Sequence, residues 1–264
     1  MTRPIVFLTD YGRSDAFVGI CHGVMAKIAP DSRVIDITHS VPRQDVLRGA
    51  IELARAVPYM PEDAVYVAVV DPGVGSDRRA VAAAAGASLL VGPDNGVLSL
   101  AWEALGGVEA AVEIENPAVQ LMPVSRTFHG RDVFAPAAAH LAAGMQLSDV
   151  GPAVDVAGLE RLDVPGPMVA DGAVGARVTA TDGYGNVQLN AMEQDLEAAG
   201  VVVGNVLVVN GRRIPRAGTF AELPEREPGL IVDSEGYLAI VVNHGNAAQM
   251  LGLAATDTVV IEGP

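Results

Sequence analysis

Apolar residues fall in two textures along the chain. Up to about residue 150, short runs that are apolar throughout alternate with longer stretches whose apolar positions recur at helical spacing. Residues 65–70, Val-Tyr-Val-Ala-Val-Val, are typical of the first kind and predict a strand buried on both faces. Strands are predicted over 4–10, 34–38, 65–71 and 110–114, with a strand–turn–strand unit over 80–92. Helices are predicted over 15–29, 44–57, 96–105 and 133–143, the first with Asp15 near its start and Pro30 beyond its end. Strands alternating with helices imply an α/β, Rossmann-like domain with a mostly parallel sheet.

Beyond Val150 the pattern changes. Residues 154–172 contain Pro165 and Pro167, lack helical periodicity and read as a linker. From Ala173 onward, short alternating strands are predicted over 175–182, 186–190, 206–209, 230–233, 238–242 and 259–262, with one short helix over 192–199. That spacing predicts a smaller C-terminal β-barrel domain over 173–264, after an N-terminal domain over 1–153.

Half of the 264 residues are hydrophobic, yet no apolar run reaches the ~18 residues needed to span a bilayer. The first residues enter a strand without a basic leader, so no secretory signal is expected. Cys21 is the single cysteine, which excludes an intramolecular disulfide and fits a reducing cytoplasm. It lies in an apolar helical run, where an inert buried thiol is expected. A net charge of -15 opposes binding to nucleic acid or to anionic membrane, both of which demand clustered Lys and Arg.

Candidate chemistry gathers after the predicted strands. Residues 71–79, Asp-Pro-Gly-Val-Gly-Ser-Asp-Arg-Arg, place a carboxylate, two glycines and a guanidinium at a carboxyl strand end, where open α/β sheets bind ligands. The same residues also make an ordinary turn. A second segment, Arg126-Thr127-Phe128-His129-Gly130-Arg131-Asp132, has similar character. Together they offer Asp71, Arg78 and His129 as an acid, a cation and a base for activating water. Asp10 ends the first strand and is placed to grip a ribose diol, or to serve as a turn acid. In the second half, the segment from Asp182 to Asn186 can hold a base by stacking on Tyr184 and by hydrogen bonds to Asn186, with a hairpin turn as the competing reading. The turn over 233–237, with Ser234 and Glu235, is open to the same two readings. His22, His39, His140 and His244 are scattered without metal-ligand spacing, so no catalytic metal is expected. The Gly73-Val74-Gly75 run falls short of both a dinucleotide fingerprint and a P-loop.

Taken in order, FLTDYG at 7–12, DITH at 36–39, VDPGVGSDRR at 70–79, GPDNG at 92–96, TFHGRDVFAPAAAHLAAG at 127–144, DGYGN at 182–186 and SEGYLAIVVNHGNAA at 234–248 resemble the S-adenosyl-L-methionine (SAM) hydroxide adenosyltransferases, relatives of fluorinase and chlorinase. The resemblance runs over essentially the whole chain. It implies hydrolysis of SAM at the 5′ carbon to adenosine and methionine, without a cofactor, by a trimer that holds SAM at subunit interfaces. It also implies catalytic roles for Asp71, Arg78 and His129 and ribose binding by Asp10. Tyr184, Asn186 and Phe220 fall on the adenine positions; Asp182 and Ser234 fall around the methionine moiety, with Asp15 assisting. Glu235 stands where the halogenases carry Arg, so it is expected to face the α-ammonium and not the carboxylate of methionine. A SAM-dependent halogenase and a SAM- or adenosine-binding protein without turnover are the alternatives. The halogenases carry Tyr at the position of Asp71 and lack the histidine matching His129, which favours water over halide.

Overall fold

The structure, a computed structural model, describes residues 2–201, 204 and 206–264. It forms two compact units, Met1–Asp163 and Val164–Pro264. The first contains β1 (Ile5–Thr9), α1 (Phe17–Ile28), β2 (Val34–Thr38), α2 (Val46–Ala56), β3 (Val65–Val69), β4 (Ala80–Ala85), β5 (Ser88–Pro93), α3 (Ser99–Ala104), β6 (Ala110–Glu113), α4 (Ala135–Ala142) and β7 (Ala153–Val154). Its sheet runs in the order β2-β1-β3-β5-β4-β6-β7. β2, β1, β3 and β5 are mutually parallel, as predicted, whereas β4 runs antiparallel to both β5 and β6. Only Gly86 and Ala87 separate β4 from β5, and so short a connection can join only antiparallel neighbours.

Side chains along the central strands divide between two apolar layers. Ile5 and Phe7 of β1, with Val65, Val67 and Val69 of β3, pack toward α1 and α4. Val6, Leu8, Tyr66 and Ala68 face the opposite layer with α2 and α3. Both faces of the sheet are therefore covered, which is why these strands read as continuous apolar runs. α2 begins at Asp45, whose carboxylate accepts the Arg48 N–H at 2.9 Å. Asp15 does not cap α1: the helix starts at Phe17, after Ala16, and Asp15 is exposed. Cys21 is buried and its thiol is pushed up to about 12, chiefly by desolvation, in line with an inert thiol.

The segment expected as a linker carries structure at both ends. Ala153–Val154 pairs with β6, and β8 (Met168–Ala170) pairs with β9 (Ala173–Thr181). Strands this short carry too little pattern to be read from sequence. The second unit continues with β10 (Val187–Met192), α5 (Glu193–Ala198), β11 (Val206–Val209), β12 (Arg212–Pro215), β13 (Pro228–Val232), β14 (Tyr237–Val242), α6 (Ala247–Leu251) and β15 (Thr258–Glu262). Its antiparallel order is β12-β11-β15-β9-β10-β14-β13. A bridge between Arg216 and Leu230 draws the two edges together, so the sheet is a nearly closed barrel. Inward residues alternate along β9, where Val174, Ala176, Val178 and Ala180 are all buried. No helix among the described residues is long and apolar enough to cross a membrane.

Candidate active site

Asp10 and Asp71 follow β1 and β3, adjacent parallel strands, so both emerge at one carboxyl edge of the sheet. The turn after Asp71 is folded by Ser76. Its hydroxyl donates to the Gly73 carbonyl at 2.6 Å and accepts the Arg78 N–H at 3.3 Å, turning the chain back toward Asp71. Gly75 sits at φ +79°, and a Cβ there would stand 2.5 Å from the Arg126 carbonyl oxygen. The missing side chain lets this turn lie against the segment that carries His129.

Arg78 then closes on Asp71 as a fork. Its Nε lies 3.0 and 3.1 Å from the two carboxylate oxygens, and a terminal nitrogen donates to Oδ2 at 2.5 Å. That nitrogen also donates to His129 Nδ1 at 2.8 Å. A guanidinium has no acceptor, so Nδ1 must supply a lone pair, and the neutral ring carries its proton on Nε2. Burial, then the charge of Arg78, holds the His129 pKa below the ordinary value of 6.5, which keeps the ring neutral at pH 7. The Asp71 and Arg78 side chains are only 6% and 11% exposed, so the pair is little screened by solvent.

His129 is set by its own loop. Asp132 is buried, accepts the Ser125 N–H at 2.8 Å and is gripped by Arg131 at 2.6 and 2.8 Å. Burial opposes the Asp132 charge, but Arg131 and the Ser125 amide outweigh it and hold the carboxyl below its usual range. The chain after His129 enters a π-helical turn, Gly130–Phe134, before α4. Gly130 faces Tyr11: a Cβ there would meet the phenol oxygen at 2.0 Å. Tyr11 thus fills the space beside His129, and desolvation raises its pKa well above the usual value, leaving it a neutral hydrogen-bonding group.

A cavity of about 60 Å³ is walled by Asp10, Tyr11, Asp71, Val74, Thr127 and His129, among others. Asp10 Oδ2 accepts the Gln44 N–H at 2.8 Å, so the carboxylate is steered by the loop before α2. Asp15 is not among the cavity walls. Sequence reasoning missed Tyr11 and Thr127, although each adjoins a residue or motif singled out above. The GPDNG run is support: Asn95 Nδ2 donates to the Val70 carbonyl, immediately before Asp71, at 2.9 Å.

In the second unit, Asp182 organises the turn between β9 and β10. It accepts the Tyr184 and Asn186 N–H groups at 2.8 and 2.9 Å and the Asn186 side-chain amide at 2.8 Å. Asn186 and Phe220 are shared by two depressions of about 470 and 340 Å³. Tyr184 and His244 line the larger; Asp182, Asp233 and Ser234 line the smaller. Glu235 lies half-buried in the following turn and lines neither.

A sequence profile described as the SAM hydroxide adenosyltransferase N-terminal domain matches residues 5–151, and the corresponding C-terminal domain matches residues 176–260. The (R)-S-adenosyl-L-methionine hydrolase of Salinispora tropica is 52% identical over 258 residues, covering 97% of this chain and 96% of that protein. A fluorinase from an Actinoplanes species is 29% identical over 98% of this chain and 97% of its own length. The crystal structure of an uncharacterized conserved protein from Thermotoga maritima superposes with a TM-score of 0.89 at 36% identity, covering 97% of this chain and 99% of that one. With matched domains in both units and relatives aligned nearly end to end, the chain belongs to the SAM hydroxide adenosyltransferase family.

Proposed function

We propose that this protein hydrolyses SAM: water attacks the 5′ carbon, the C5′–S bond breaks, and adenosine, methionine and one proton are released. The observation that carries the reading is the Asp71–Arg78–His129 constellation, in which one guanidinium holds both an acid and an imidazole. The hydrolase name of the Salinispora tropica relative supports the substrate and reaction.

A sulfonium is already a good leaving group and takes the electrons of the broken bond as a neutral thioether. Catalysis then consists of aligning water behind C5′ and accepting its proton. The cavity is roomy enough for water. In the arrangement described, the His129 Nδ1 lone pair is occupied by Arg78 and Nε2 is protonated, so the imidazole orients the water by donating. Asp71 keeps free lone pairs and takes the proton. The water becomes acidic as the C–O bond forms, so the proton passes to Asp71 as attack proceeds. No step calls on a metal or cofactor, since Arg78 supplies the positive charge beside the nucleophile. Water is favoured over halide because the Asp71 carboxylate accepts a proton from water and offers a chloride no hydrogen-bond donor.

The proposal extends to substrate contacts: Asp10 for the ribose diol; Tyr184, Asn186 and Phe220 for adenine; Asp182, Ser234, Glu235 and Asp15 toward methionine. It also extends to a cytoplasmic homotrimer with shared active sites, as the family resemblance implies. Incubation with SAM in isotopically labelled water tests the reaction. Label is expected in the 5′ oxygen of adenosine and none in methionine. Label in the methionine fragment, or a halogenated nucleoside in excess chloride, would refute it.

A further inference from the structure

We propose that His22, Asp36 and His39 bind a zinc ion, with a remaining coordination position left to water. The sequence presents these residues as scattered, but the fold gathers them. His22 lies on α1, Asp36 on the edge strand β2 and His39 immediately beyond β2, and Asp36 is paired in register with Phe7 of β1. His22 Nε2 is 2.9 Å and His39 Nε2 3.1 Å from the same oxygen, Asp36 Oδ1. All three donor atoms lie within 4.8 Å of one another. Donors around a tetrahedral zinc at 2.0–2.1 Å stand about 3.3 Å apart, so small rotations of the partly exposed His22 and Asp36 side chains complete the geometry.

The placement of His39 suits an ion. Its ring is buried, and its Nδ1 lies 2.9 Å from Thr9 Oγ1, which also accepts the Tyr11 N–H at 3.2 Å. Its Nε2 is buried without an aligned hydrogen bond, the Asp36 contact being an ion-pair approach only. The tautomer with Nδ1–H directed at Thr9 leaves the Nε2 lone pair facing Asp36, available to an ion. A metal-ligating histidine commonly has its second nitrogen engaged in this way. Phe7 packs against both imidazoles, with centroids 5.9 Å from His22 and 4.9 Å from His39, and fixes their planes.

Donor chemistry selects the ion. Two imidazoles and one carboxylate suit zinc, whereas magnesium and calcium prefer all-oxygen shells. No step of the proposed reaction uses this ion. Its mechanical effect is to tie α1 and β2 to the end of β1, next to Asp10.

The test uses chelator-stripped full-length protein titrated calorimetrically with zinc, with magnesium as control. One zinc per chain is expected, with a higher melting temperature for the loaded protein. His22→Gln and Asp36→Asn remove partly exposed donors and should each weaken zinc binding by at least ~100-fold, more than loss of a supporting contact costs. Their circular dichroism should match the unsubstituted protein. Cobalt gives an independent readout: the unsubstituted protein should develop the intense visible bands of a four-coordinate site, and zinc should abolish them. Absence of saturable zinc binding, absence of those bands at saturating cobalt, or undiminished zinc affinity in both variants would overturn the assignment.

Discussion

Arg78→Ala removes the group on which both Asp71 and His129 depend. Three short contacts to a carboxylate and one to an imidazole disappear together. Because the Asp71 side chain is only 6% exposed, water cannot replace the lost partner well. Breaking a buried pair by removing one member costs about 3–5 kcal/mol, against about 0–1 kcal/mol for an exposed pair. The first unit should lose the larger amount. Trp102 is the only tryptophan, is buried and lies in that unit, so its fluorescence during urea unfolding reports the relevant transition. Adding Asp71→Asn should recover the greater part of the loss, since an amide leaves no uncompensated charge. Both proteins should turn over SAM at least ~10²-fold more slowly in kcat. A destabilisation below about 1 kcal/mol would show that the pair is effectively solvated. A double variant no more stable than Arg78→Ala would show that charge burial is not the cause.

Asp10→Ala removes the acceptor proposed for two ribose hydroxyls, each worth about 1.5–3 kcal/mol, so adenosine binding by calorimetry should weaken at least ~100-fold. His129 has a depressed pKa, so its neutral form contributes fully above the ordinary value of 6.5 and that contribution is lost as pH falls through the folded pKa. An acid limb in kcat/KM is therefore expected below pH 6.5, and it should vanish in His129→Ala, whose residual rate is measured across the same range. Mixing inactive Asp71→Ala with inactive Asn186→Ala should restore part of the activity if trimers share sites; no recovery after confirmed subunit exchange places each site within one chain.

Elements whose pattern is self-contained were legible in the sequence. β1 and β3 appear within a residue or two of expectation because strands covered on both faces need apolar side chains at every position, and the partly buried edge strand β2 was read from its β-branched residues. The position of Asp71 was legible for a related reason: a carboxylate and two glycines directly after such a strand fall at the carboxyl edge of the sheet. The helix predicted over 133–143 begins instead as a π-helical turn at Gly130. Periodicity reports which face is apolar and is blind to one extra residue per turn.

What only the tertiary structure decided is pairing at long range. The 51-residue separation of Arg78 and His129 carries no local signal that one donates to the other, and hence none that the imidazole proton sits on Nε2. Nor does the sequence show that Tyr11 occupies the space left by Gly130, because a glycine looks alike whether it serves a turn or a close approach. Scattered histidines likewise read as unrelated until β2 pairs with β1 and α1 crosses over them, gathering His22, Asp36 and His39. Side-chain type and local spacing fix what a residue is able to do, while its partner, protonation and solvent access are set by neighbours brought from elsewhere in the chain.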